Sequence, residues 1–223
     1  MESPPPRPAT PPGVQLVQIG APIALRDGSR VHIRQLRGSD GQLLLRGFRR
    51  LSPESRYRRF LAPTPTLSEG TVRYLVDIDH RNHEALIALD EKPNEGVGVA
   101  RYVRDAARPN AAEVAVTVVD DWQGRGLGTL LLEGITMRAR EEGVDTFTAL
   151  MLVENREMMD LLERLGAVRV LDRASGTVEV EVHLPAIGVT PELRKLIRLA
   201  AASDIAIPIG QLPRGHRTRP GSA

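Results

Sequence analysis

The 223-residue chain is 41% hydrophobic and 26% charged, and its 30 Lys and Arg against 28 Asp and Glu leave a net charge of only +2. That size fits one ordinary domain with appendages, and the composition excludes wholesale disorder. The balanced charge and 3% aromatic content exclude a phosphate-backbone or base-stacking nucleic-acid binder, and the absence of cysteine excludes disulfides, thiolate metal sites and cysteine nucleophiles.

Residues 1–13 are dominated by Pro and read as a disordered lead, and 14–28 as a mildly apolar connector closing on the turn signal Asp27-Gly28. The opening residues lack the charged and apolar regions of a signal peptide, and no apolar run reaches membrane-spanning length. A cytoplasmic protein without membrane contact is therefore expected. A first strand is predicted at 31–36. Ser39-Asp40 caps a helix carrying Leu43, Leu44, Leu45 and Phe48, Ser52-Pro53-Glu54 starts a second, and a third spans about 68–76. Strands follow at 84–89 and 97–103, and then at 112–119, which is almost wholly apolar, as a strand covered on both faces is.

A helix from about 126 to 142, stopped by Gly143, leads to a strand at 146–152, a helix at 155–165 ended by Gly166, and a hairpin of 168–171 with 177–184. The predicted class is α/β, with one domain over 29–184 between tails at 1–28 and 185–223. In the second tail Thr190-Pro191 opens a short amphipathic helix carrying Leu193, Leu196, Ile197 and Ala200.

Chemistry concentrates between Val116 and Thr129. An apolar strand feeds a turn with three glycines in five residues, Gly124, Gly126 and Gly128, and then the first turn of a long helix. Unpaired amides and the positive end of the helix dipole meet there, and small residues let an anion reach them, so the turn points to phosphate or pyrophosphate. It lacks the Lys of a nucleotide-triphosphate loop, and its third glycine comes one residue early for a dinucleotide fold.

Gln123-Gly124-Arg125-Gly126-Leu127-Gly128 resembles the Q/R-x-x-G-x-G/A signature of the GCN5-related N-acetyltransferases (GNAT), and the resemblance extends from about Ser29 to Leu184. It implies the GNAT fold, a central mixed and mostly antiparallel sheet flanked by helices, with acetyl-CoA as co-substrate. By the same resemblance the backbone of Val116, Thr117 and Val118 pairs with the pantetheine arm. Amides of Gln123, Gly124, Arg125, Gly126, Leu127, Gly128 and Thr129 then hold the pyrophosphate, and Asn155 contacts the pantetheine or adenine side. The runs Leu51 to Phe60, His83 to Leu86, Val97 to Arg101, Ala112 to Ala115 and Asp121 to Gly128 are similar to actinobacterial protein lysine acetyltransferases. In some of those the domain is fused to a cyclic-nucleotide-binding domain, for which the roughly 28 residues ahead of the first strand leave no expected room.

Amide formation requires a base for the acceptor ammonium, and Glu113 is the candidate: an acid in an otherwise apolar strand, where partial burial raises a carboxyl pKa toward a useful value. The resemblance assigns a Glu at this strand position the same role. The competing reading is a strand-end carboxylate in water or paired with Arg101. Many family members carry a Tyr that protonates the departing thiolate, and that position counts to Leu162 here.

Asp79, His80 and His83 read as loop hydrogen bonding rather than a metal site, and no metal is expected. His183 has no partner identifiable in sequence. The cluster of Arg49, Arg50, Arg56, Arg58 and Arg59 is open between a solvated helix face and a lining of the acceptor cleft or 3′-phosphate site, while Tyr57 and Phe60 read as core anchors. The expected function is acetyl-CoA-dependent N-acetyl transfer to protein lysines, by a monomer or homodimer. Small-molecule amine acetylation and a non-catalytic acyl-CoA sensor remain open beside it.

Overall fold

The computed structural model describes residues 22–92 and 94–185, all within one compact unit. The Pro-rich lead, most of the connector's first half and the C-terminal amphipathic helix lie outside the described residues. In chain order the elements are β1 (Ile23–Ala24), β2 (Arg30–Gln35), α1 (Gly41–Arg49), α2 (Pro53–Phe60), α3 (Glu69–Val76), β3 (His83–Asp90), β4 (Gly96–Arg104), β5 (Ala111–Val118), α4 (Leu127–Glu141), β6 (Thr146–Leu152), α5 (Arg156–Glu163), β7 (Val168–Ala174) and β8 (Thr177–His183). Every strand and helix predicted within the described residues is present. The addition is β1, a two-residue edge strand in the stretch read as connector, which pairs Ile23 with Val31.

The helices begin where their side chains replace missing backbone acceptors. Ser52 caps α2 by accepting from the Ser55 amide, with Pro53 in the first turn, and Ser68 caps α3 by accepting from the Thr71 amide. Strand order is β1-β2-β3-β4-β5-β6-β8-β7, a mixed sheet in which every pair but β5 with β6 is antiparallel. One face of β3, with Ala85, Ile87 and Leu89, packs with Leu36 against Leu43 and Leu44 of α1 and Val76 of α3. The opposite face receives α4. A Cβ at Gly98 would lie 2.8 Å from Leu131 Cδ1, and one at Gly134 would lie 2.9 Å from Leu86 Cδ1, so two missing side chains let α4 lie close on the sheet.

Beneath α4, Glu84 is fully buried and satisfied on every side. It accepts from the Gln35 amide at 2.9 Å, Arg138 Nε at 3.1 Å and the Ala85 N–H at 2.9 Å, and sits 2.8 Å from His80 Nδ1. Removing the charge takes the carboxylate from Arg138 Nε, leaving that guanidinium to Glu141, Glu142 and the His80 carbonyl, and replaces one acceptor oxygen of the buried network with a donor. Glu84→Gln is expected to lower unfolding free energy by about 1–3 kcal/mol, read from urea denaturation.

Asp40, 4% exposed, forks onto Arg34 at 2.6 and 2.9 Å and accepts from the Arg37 N–H at 2.8 Å. Burial pushes its carboxyl pKa up, but the bonds and charge of Arg34 outweigh that and leave it below the ordinary value. Asp79 is likewise held low: burial opposes, and the amides of His83, Arg81 and Asn82 prevail. Groups with depressed folded pKa stabilise the fold fully above their unfolded values and lose that contribution as pH falls through the folded ones. The thermal midpoint is therefore expected to hold between pH 7 and about 5 and to drop steeply below about pH 4. A midpoint flat to pH 2 would contradict these pairings.

One expected detail is corrected: Tyr57 is 42% exposed and is not a core anchor, whereas Phe60 is, meeting Phe48 edge-on at 5.8 Å. His183, for which the sequence offered no partner, has its Nδ1 3.1 Å from Thr146 Oγ1.

Candidate active site

β5 pairs with β4 from Ala112 to Val118 but with β6 only through Ala111, Ala112 and Glu113, opposite Thr146, Phe147 and Thr148. Beyond that last rung the two strands part. β6 keeps its full pairing to β8, so the backbone groups of Val114 to Thr117 that face β6 have no strand partner. Between the parted strands lies a cavity of about 530 Å³, the size of a small-molecule or cofactor site.

The glycine turn closes the wide end. Gly124 and Gly126 have φ of 71° and 90°, a left-handed backbone that side chains disfavour, and Gly126 is the N-cap of α4 without any side-chain cap. First-turn amides of this 15-residue helix are thus left to a ligand. Gln123 Nε2 donates to the Val118 carbonyl and to Ser55 Oγ, tying the turn to the strand end and to α2. Asp120 adds to that docking by accepting from the Ser52 N–H and Ser55 Oγ.

The structure brings together Glu113, Val116, Thr117, Val118, Gln123, Gly124, Gly126, Gly128, Thr129 and Asn155 around this one cavity. Asn155 also caps α5, its Oδ1 accepting from the Met158 N–H. Two of the expected residues turn their side chains elsewhere. Leu127 is buried under Gly98, and Arg125 pairs with Asp27 at 2.9 Å and lies over the Trp122 ring, so only their backbones are available to a ligand.

Glu113 sits at the narrow end, on the last shared rung, and is exposed rather than partly buried. The pairing with Arg101 does not occur: Arg101 donates to the Leu75 carbonyl and lies 3.1 Å from His83 Nε2. Leu162, counted as the Tyr position, is fully buried and faces the core; Met158 and Leu161 are the apolar side chains α5 presents to the cavity.

Several lining residues escaped the sequence. Arg26, in the turn after β1, lies against Gly126, 3.3 Å from where a Cβ would stand. Glu157 and Asp160 of α5 and Arg164, just past its end, also line the cavity. Arg58 and Arg59 settle the open question of the arginine cluster in part: both face the cavity, Arg58 bridging Glu54 and Glu157, while Arg50 pairs with Asp121 and Arg56 covers the Phe48 ring.

The otherwise antiparallel sheet opens at its one parallel pair, and a glycine turn at a helix N-terminus closes the gap, giving an elongated cavity with unpaired helix-start amides at one end. Residues 50–167 match the model of the acetyltransferase (GNAT) family, and the chain belongs to that family, an acyltransferase by class. It is 34% identical over 179 residues to acetyltransferase Pat of Mycolicibacterium smegmatis, covering 79% of this chain but 52% of that protein. The chain thus spans about half the length of that relative. An acetyltransferase of Pseudomonas aeruginosa is 35% identical over 147 residues, 65% of this chain and 78% of that one. Among solved structures, the GNAT domain of S. lividans PAT superposes with a TM-score of 0.67 at 32% identity, covering 74% of this chain and 96% of that one. Among the described residues no helix is long and apolar enough to cross a membrane.

Proposed function

We propose that the chain is an acetyl-CoA-dependent N-acetyltransferase that modifies lysine side chains of proteins, with Glu113 as general base. One observation carries the reading: the glycine turn and Glu113 lie at opposite ends of the opening between β5 and β6. From Glu113 to Val118 is five strand steps, about 17 Å, which suits an extended arm running from a phosphate held at the turn to a reacting group at the narrow end.

The residues present fit acetyl-CoA. Uncapped amides and Arg26 suit the phosphates, the unpaired edge of Val114 to Thr117 offers amide-type hydrogen bonds, and Leu161 and Met158 provide apolar contact. When bound, acetyl-CoA supplies the acetyl group as a thioester, an acyl donor reactive toward amines. Glu113 accepts the proton of the acceptor ammonium, directly or through water, so that the nitrogen carries a lone pair. The protein-lysine acceptor is supported by the likeness to acetyltransferase Pat. It is also supported by a cavity in which Arg26, Arg58, Arg59 and Arg164 outnumber the acids, unlike a polyamine pocket.

Calorimetric titration with acetyl-CoA tests the co-substrate, and mass spectrometry of acetyl-lysine in cells with and without the chain tests the acceptor. Absence of acetyl-CoA binding would sink the first, and an unchanged set of acetyl-lysine sites the second.

A further inference from the structure

A second chamber, of about 80 Å³, adjoins the large cavity, and Arg59, Phe60 and Thr117 line both. Its remaining walls come from α1, α3 and the facing strands and are apolar, with one exception: Arg101 enters beside Arg59. No acidic side chain lines it. Arg101 is 6% exposed and has only neutral partners, the Leu75 carbonyl and His83. His83 is held neutral, its pKa pushed down by burial and by the Arg101 charge. Among the described residues the Arg59 guanidinium makes no hydrogen bond or ion pair; it rests 5.1 Å over the Phe60 ring.

Two guanidiniums facing one apolar chamber without a counter-charge is an expensive arrangement. Burial pushes both pKa values down, Arg101 to about 10 with help from the Arg59 charge. A guanidinium is not deprotonated in proteins, so both groups are cations. Glu113 attracts Arg59 across the site but forms no ion pair with it. Register places Arg101 opposite Ala115 and Val103 opposite Glu113, so Arg101 and Glu113 lie diagonally on one face with their Cα atoms about 7–8 Å apart. A molecule whose amine reaches Glu113 thus lies next to the strand positions that carry Arg101 and Ala115.

Resting on the acetyl-transfer reading above, we propose that Arg59 and Arg101 form a carboxylate subsite for the acceptor, which selects substrates bearing a carboxylate beside the amine to be acetylated. The planar forks of two arginines suit a carboxylate better than any neutral group. That carboxylate belongs either to an acidic residue next to a lysine in a protein or to a free amino acid.

Matched pairs distinguish the two: a lysine peptide with Glu beside the lysine against the same peptide with Gln, and free lysine against its carboxamide. Wild-type kcat/KM is expected to favour the carboxylate member of one pair by about tenfold to a hundredfold, the worth of a charge-assisted hydrogen bond. The pair that shows the preference identifies the source. Arg59→Gln should bring the ratio near one, and Arg59→Lys should restore part of it. Calorimetry of the N-acetylated products and their carboxamides, with CoA present, reads the same ratio without turnover. Ratios near one for both pairs and for the products, or a preference untouched in Arg59→Gln, overturn the subsite. Discrimination by the products without any amine turnover would overturn the acetyl-transfer reading and leave the subsite standing.

Discussion

Glu113→Gln is expected to lower kcat with amine acceptors by about a hundredfold to ten-thousandfold, the usual worth of a general base, while acetyl-CoA affinity stays within about twofold. The substitution is nearly isosteric at an exposed position, and among the described residues the Glu113 carboxylate makes no hydrogen bond or ion pair. The fold should therefore not register the change. Its neighbour Arg59 loses a nearby negative charge, which is a reason to measure the acceptor KM alongside kcat. A base that acts only on the acceptor ammonium predicts a loss in kcat that shrinks as pH rises and the amine deprotonates in solution. A kcat unchanged near neutral pH would remove Glu113 from the chemistry.

Gly126→Asp should weaken acetyl-CoA binding at least about a hundredfold, and with it the shift in thermal midpoint that saturating acetyl-CoA otherwise confers. Three effects act together. At a φ of 90° any side chain is strained, a Cβ would press on Arg26 at 3.3 Å, and the new carboxylate stands where the helix dipole favours an anion. The carboxylate would also take Arg26 for itself and withdraw a cation from the site. Gly126→Ala keeps the strain without the charge, so its smaller loss measures the electrostatic share. Undiminished affinity in the Asp variant would show that the turn does not hold the phosphates.

The glycine turn was legible because its residues are local in sequence: strand, three glycines and helix start all lie between Val116 and Thr129. Glu113's place on the cavity was legible as one acid in an apolar run, but its exposure was not. Arg26 was not, since a two-residue strand leaves no periodic signal, and what places the arginine is the Asp27–Arg125 ion pair with the Arg26 N–H bonded to the Arg125 carbonyl. Tyr57 went astray because spacing states which residues share a face but not which face meets the core.

Local chemistry in the sequence determined the order of elements, their caps and glycine stops, and the anion-seeking turn, because each depends on residues within a few positions of one another. Only the tertiary structure decided that β5 and β6 part after Glu113, that Arg59 and Arg101 share a chamber, and that Glu84 rests among Gln35, His80 and Arg138. Those arrangements depend on strand pairings and side-chain contacts between residues far apart in the chain, which no window of sequence records.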